Sequence, residues 1–382
     1  MLKRTRSTLA FLNQHSLALF AAGALAAGAY NLWKWRQDAR RAARFAAGRG
    51  ADPPLDSHEQ VSVLVAAWNE AENIPRHVQS FLALRYPHKE LVLCAGGQDQ
   101  TYPLACSYSG PSVIVLPQQP GEGKQAALRR GLEYTHGTVI FLTDADCFLD
   151  DRSFEGTLRP VLCGDEAAAT GASRPPAEQW RSVFVASQAI PQLYAALWAP
   201  EYSSGLLGRN SAVRKAVLVQ ARGLEQEAPT GTDYVLANRL LTHGARIRQV
   251  AGSLVPSRFP GGVRAYLRQQ RRWQRNVAFY GRRLGAPEET RAALVNSLTG
   301  LGMLLLPWAG PAGFPFLGAL WAALYLYALF SRLRYAWAVR RAFGLQLPRG
   351  LAAFQPWMLW IDFWAWSLPL WAALRRPRRE NW

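Results

Sequence analysis

Residues Val61–Ala67 read VSVLVAA, and residues Thr138–Leu142 read TVIFL, the latter followed at once by Thr143-Asp144-Ala145-Asp146. Each is an unbroken apolar run rich in β-branched residues, the pattern of a strand covered on both faces. The chain between them supplies the cover. Glu70–Leu84 reads as a helix, Glu90–Cys94 and Ser112–Leu116 as strands, and Gly123–Tyr134 as a second helix. Alternation at this spacing predicts right-handed βαβ crossovers and an α/β fold on a mostly parallel sheet. Such sheets bind ligands beyond the carboxyl ends of their strands. The residues just after each apolar run are therefore where chemistry is expected.

Outside this region the character changes. Ser16–Trp33 is an uncharged apolar run of 18 residues, near the lower limit for crossing a bilayer. It resembles a signal-peptide core, but no small-x-small cleavage site separates it from the basic stretch downstream, so a signal anchor is the reading adopted. Lys3, Arg4 and Arg6 precede it; Lys34, Arg36, Arg40, Arg41, Arg44 and Arg49 come after it, which favours the downstream domain on the cytoplasmic side. Gly262–Gly285 mixes arginines with aromatics as a basic amphipathic helix suited to a membrane interface. Ala292–Trp308 and Phe314–Phe330 read as a transmembrane hairpin, and Arg332, Arg334, Arg340, Arg341 and Arg349 as the cytoplasmic loop after it. Leu351–Leu374, rich in Trp but interrupted by Pro356, Asp362 and Pro369, is either a third span or a re-entrant interfacial segment, the latter sparing the basic tail Arg375–Arg379 from lying outside.

The chain has 382 residues, a formal net charge of +18 and 49% hydrophobic residues, which excludes a disordered chain. Residues 51–260 hold 18 Lys/Arg against 21 Asp/Glu, whereas the flanks hold 26 against 5. A nucleic-acid-binding protein carries its basic stripe on the globular domain itself. Here the excess borders apolar segments, so it speaks for an anionic membrane leaflet and against nucleic acid. Four cysteines in no zinc or CxxC spacing (Cys94, Cys106, Cys147, Cys163) suit a reduced compartment.

Two carboxylates flanking one residue at a strand's carboxyl end, as Asp144 and Asp146 do, can share a hard divalent cation and a diphosphate; alone, D-x-D is also an ordinary acidic turn. Other nucleotide signatures are absent. Gly121-Glu122-Gly123-Lys124-Gln125 lacks both the leading Gly and the Ser/Thr of a P-loop, and Trp68-Asn69-Glu70 after the first strand holds no G-x-G-x-x-G. A kinase, an ATPase and a dehydrogenase are disfavoured.

Taken in order, VSVLVAAWNEAENI (61–74), GGQDQT (96–101), GKQAALRRGL (123–132), TDAD (143–146), GTDYVLANRL (231–240) and QQRRW (269–273) resemble the motifs of the membrane-bound family 2 glycosyltransferases, over roughly residues 60–285. The resemblance implies a GT-A catalytic domain at 51–260, an N-terminal anchor at 1–50, an interfacial helix carrying Q-x-x-R-W at 261–290 and two to three C-terminal membrane helices at 291–382. It implies inverting transfer from a nucleotide-diphospho-sugar. Carried over by residue, Asp144 contacts the nucleoside, Asp146 coordinates Mg²⁺ or Mn²⁺, and Asp233 is the general base, a helix N-cap being its bland alternative. Ala66, Asn69 and Glu70 of the first motif, and Gln269, Arg272 and Trp273 of the last, fall to the donor. Arg offers fixed, charged donors to a diphosphate and Trp a flat face. Lys124 either reaches the nucleotide or is a surface lysine. The chain departs from the family at Ala95, where an Asp often reads the base; Asp99 is the nearest acid.

Q-x-x-R-W occurs in processive polysaccharide synthases and in lipid glucosyltransferases of the ceramide glucosyltransferase kind. The few apolar segments here, without runs of polar residues to line a channel, favour single transfer of a sugar, glucose by resemblance and from UDP, to a membrane lipid hydroxyl at the cytoplasmic face. A processive synthase is the alternative. A non-catalytic, nucleotide-sugar-binding relative is a second, which only Ala95 supports. As a bacterial inner-membrane, multi-pass enzyme the chain takes a donor, a lipid acceptor and a membrane as partners; its oligomeric state is not written in the sequence.

Overall fold

In β1 (Val61–Trp68), Val61, Val63 and Val65 enter one hydrophobic core while Leu64 enters another, so the strand is buried on both faces as its composition predicts. A computed structural model describes residues 11, 13–48, 54–225, 231–283 and 287–373. Lys3, Arg4, Arg6, Arg49, Leu374 and the tail Arg375–Arg379 lie outside them. The chain divides into two compact units.

The first unit is the sheet. β1 pairs in parallel with β2 (Lys89–Gly96) and β4 (Val139–Leu142), and β2 pairs in parallel with β3 (Val113–Pro117). Beyond β4 the order continues through β6 (Ser211–Arg214), β5 (Ala168–Arg174) and β7 (Ile247–Pro256). β6 runs antiparallel to both neighbours, so the seven-stranded sheet is mostly parallel with one reversal. The helices α2 (Ile74–Leu82), α3 (Thr101–Cys106), α4 (Gly123–Leu132) and α5 (Asp151–Leu162) are the crossovers, and the short α7 (Lys215–Gln220) and longer α8 (Thr232–Thr242) come after β6.

One boundary differs from expectation. The helix read from Glu70 begins at Ile74, because Asn69 takes φ 58° and the Glu70 N–H donates to Thr101 Oγ1 at 2.7 Å. Pro75 then opens the helix, where its missing N–H costs nothing.

The second unit is helical: α1 (Ser16–Ala47), α6 (Val183–Trp198), α9 (Val263–Arg283), α10 (Pro287–Leu305), α11 (Pro315–Phe343) and α12 (Leu351–Ala373). The α6 segment lies within 51–260 in sequence but packs here, its Ser187 Oγ accepting from Gln355 at 2.8 Å. Along α11 lies α1, and α10 lies along α12. Among the described residues two helices, α1 and α11, are long and apolar enough to cross a membrane. Leu351–Ala373 is one unbroken helix despite Pro356 and Asp362.

The loop expected to start at Arg332 is not there. α11 continues to Phe343 and stops at Gly344, whose φ of 65° closes the helix. Arg332 and Arg334 are therefore mid-helix and buried, each against an acid: Arg332 pairs with Asp362 of α12 and Arg334 with Asp38 of α1. A guanidinium among apolar helices persists only with such a partner. Tyr194 donates to Asp38 at 2.9 Å and Tyr266 to Asp362 at 2.5 Å, completing both clusters.

Candidate active site

The site begins where β4 ends. Thr143 Oγ1 donates to the Arg209 carbonyl at 3.0 Å, and the Cys147 N–H turns back to the Asp144 carbonyl at 3.0 Å. The Phe148 N–H donates to Pro256 O at 2.8 Å, the Arg258 N–H to Asp146 O at 3.0 Å, and buried His77 Nδ1 to Cys147 O at 2.7 Å. The acidic turn is thus tied to β7 and α2 before any ligand binds. A neutral His77 suits this role, and burial lowers its pKa.

The sheet unit brings several of the expected residues together. Lys124, on α4, donates to Asp144 Oδ1 at 2.5 Å and so faces the acidic turn. Burial would pull Lys124 down, but Asp144 and Asp233 outweigh it and hold the ammonium charged. Lys124, Thr143, Gly208, Thr232 and Asp233 line one cleft. Asp233 is not the N-cap of α8; Gly231 is, and Asp233 is the second helical residue, its Oδ1 accepting the Tyr234 N–H at 3.0 Å. Burial, with Asp144 beside it, pushes Asp146 up against the pull of Arg209. Glu70 is pushed up as well, by burial and then by Asp146 and Asp144, although Asn73 donates to it at 2.6 Å.

Asn69 and Asp99 hold loops. The Asn69 N–H donates to Gly96 O at 3.1 Å, and Asn69 Oδ1 accepts the Gln98 N–H at 2.7 Å. Gly97 permits this approach: its φ is 135°, and a Cβ there would lie 2.4 Å from Asn69 Oδ1. Asp99 accepts from Thr101 N at 3.0 Å with one oxygen and from Ala71 N at 3.1 Å with the other, clasping the loops after β1 and β2. Burial opposes these bonds, but they hold its carboxyl below the ordinary range. Ala66 sits in β1 opposite Cys94, half-buried under the same cleft side of the sheet. Gln269, Arg272 and Trp273 belong to α9 of the helical unit.

One residue of the cleft, and its neighbour beside the acidic turn, escape a reading of the sequence. Gly208 and Arg209 sit in an irregular loop whose only linear hint is the Gly-Arg-Asn before β6. Asp144 and Asp146 fit a divalent cation by their chemistry, two hard carboxylate oxygen donors one residue apart on a braced turn. Among the described residues no group of three or more His, Cys, Asp and Glu side chains could hold a metal unaided, so phosphate and water oxygens would complete the shell.

A profile described as "Glycosyltransferase like family 2" matches residues 58–276, more than half of the chain. The chain belongs to that family. Its fold is GT-A: a Pyrobaculum calidifontis mannosyltransferase, solved with GDP-Man and Mn²⁺, superposes with a TM-score of 0.50 at 18% identity, over 94% of this chain and 99% of that one. Among curated relatives, the glycosyltransferase AglE of Haloferax volcanii is 32% identical over 92 residues, 23% of this chain and 30% of its own. A poly-beta-1,6-N-acetyl-D-glucosamine synthase of Staphylococcus aureus is 29% identical over 112 residues, 29% of this chain and 27% of its own. The chain thus spans under a third of the length of these relatives.

Proposed function

We propose that the chain is a metal-dependent, inverting glycosyltransferase that moves one sugar from a nucleotide-diphospho-sugar to a membrane lipid hydroxyl, with UDP-glucose the first donor to test. The observation that carries this reading is the convergence of Lys124 and Asp233 on one cleft at the carboxyl end of β4, with Asp144 bonded to that lysine. Asp233, at the start of α8, takes the proton from the acceptor hydroxyl on the face opposite the leaving group. Asp144 and Lys124 fix the nucleotide end of the donor, and Asp146 with Asp144 would hold Mg²⁺ or Mn²⁺. When bound, the cation supplies Lewis-acid stabilisation of the leaving diphosphate. Residues Gly96–Thr101, braced by Asp99, form the floor on which the base is expected to lie, with Ala95 leaving base selection to backbone groups.

A membrane acceptor is supported by α1, which buries Asn31, Asp38 and Ala42 but exposes Leu17, Leu25, Leu32 and Trp33. That is the inverse of a soluble helix and suits lipid. A processive synthase is the second reading, because one of the relatives is a polysaccharide synthase.

The test is nucleotide release by detergent-solubilised protein with Mg²⁺ or Mn²⁺, a panel of UDP- and GDP-sugars and total membrane lipid. Lipid-dependent release from one donor is expected, reduced about 10²- to 10⁴-fold in Asp233→Asn, the usual weight of a general base. A long carbohydrate product would move the assignment to the synthase. Nucleotide binding without turnover on any acceptor would sink the transferase reading.

A further inference from the structure

One guanidinium stands inside the acidic cluster. The Arg209 side chain is 15% exposed, its Nε 3.9 Å from Asp144 Oδ2 and its Nη1 donating to Ser257 Oγ at 2.8 Å. Burial would weaken its charge, but Asp146, Cys147, Asp144 and Asp233 outweigh that and keep it. The loop that carries it is held from beneath. Asn210, fully buried, donates to Ala172 O at 2.9 Å and to Ser253 Oγ at 3.0 Å, and accepts from Thr157 Oγ1 at 2.9 Å. The Arg209 carbonyl takes the Thr143 hydroxyl, so cation and carboxylates hang from one frame.

We propose that Arg209 binds the donor's diphosphate as a resident cation, giving this chain a nucleoside-diphosphate affinity that persists when the divalent metal is removed; the inference rests on the cleft being a nucleotide-sugar site. A guanidinium fork matches phosphate oxygens, and one fixed by the fold does not dissociate. Two positive charges a few ångströms apart repel, so the same residue weakens binding of bare metal to Asp144 and Asp146. Arg209 therefore acts with opposite sign on nucleotide and on metal, which a residue needed only for folding would not do.

The experiment is calorimetric titration of the detergent-solubilised full chain with UDP and with GDP, each in Mn²⁺ and in excess EDTA, beside Mn²⁺ alone monitored by electron paramagnetic resonance. Wild type is expected to bind one nucleotide in both media, more weakly in EDTA. Arg209→Gln is expected to lose about tenfold or more of the EDTA affinity, the weight of one charge-assisted hydrogen bond, while binding Mn²⁺ alone more tightly. Arg209→Lys, which keeps the charge, retains most of the metal-free affinity and provides the comparison should the Gln variant not fold. Nucleotide binding that needs Mn²⁺ in wild type, or equal EDTA affinities for wild type and Arg209→Gln, overturns the role of Arg209 and leaves the nucleotide site standing. Failure of wild type to bind either nucleotide even with Mn²⁺ overturns the reading of the cleft itself.

Discussion

A Cβ placed on Gly208 would sit 3.0 Å from the Cβ of Asp233, so the absence of a side chain at 208 sets where the candidate base can stand. Asp233 has little room to yield, since Thr232 before it and Val235 and Leu236 after it are buried. Gly208→Ala is expected to displace the carboxylate by a few tenths of an ångström and lower kcat about tenfold, with the KM for the donor and the melting temperature nearly unchanged. Steady-state kinetics checks this; an unaltered kcat would show that the contact is slack. Asp144, Asp146 and Asp233 are legible in the sequence because each comes just after a strand or opens a helix in a recognisable string. Gly208 and Arg209 are not. They reach the acidic turn only because β6 enters the sheet antiparallel beside β4, a pairing between segments remote in sequence that no local pattern announces.

At the scale of elements, the amino end of the strands, opposite the site, is pinned by Glu90 of β2. Its carboxylate accepts from Ser62 Oγ at 2.5 Å and from the His136 N–H at 2.6 Å, joining β1, β2 and the turn into β4. Burial would raise its pKa from 4.5, but the bonds to Ser62 and His136 win and lower it. A carboxyl depressed in the folded state adds stability above its unfolded value, and that contribution fades as pH falls through the folded one. Glu90→Gln is therefore expected to melt a few degrees below wild type at pH 7, with the gap closing towards pH 3. A gap independent of pH, measured by thermal scanning in detergent, would assign the loss to shape and not to charge. The strands of this half are visible as apolar runs. β5 (AATGASR) is not, since small and polar residues fill it and its burial comes from β6 and β7 on either side. The sequence misplaces the start of α2 for a local reason, the left-handed Asn69.

For the molecule as a whole, the reading of charge needs most revision. Counting every arginine near an apolar segment as facing water puts Arg332 and Arg334 in a loop, whereas both are buried inside the helical unit against acids remote in sequence. Removing one member of such a pair leaves the other buried without that counter-charge. Arg334→Met is expected to cost about 3–5 kcal/mol and Asp38→Leu a similar amount, whereas the double variant recovers most of the loss. Equal, additive losses by chemical denaturation in detergent micelles would deny that the two residues act as a pair. Positions two apart on a helix point to nearly opposite sides, so Arg332 and Arg334 reach two different partners, α12 and α1. α11 is thereby the shared member of two buried ion pairs, one to α1 and one to α12. Neither pair can form until both of its helices are made, so α1, α11 and α12 are expected to lock together in one cooperative step of folding. A shortened version lacking α1 would leave Arg334 without Asp38 and is expected to be less stable than the full chain.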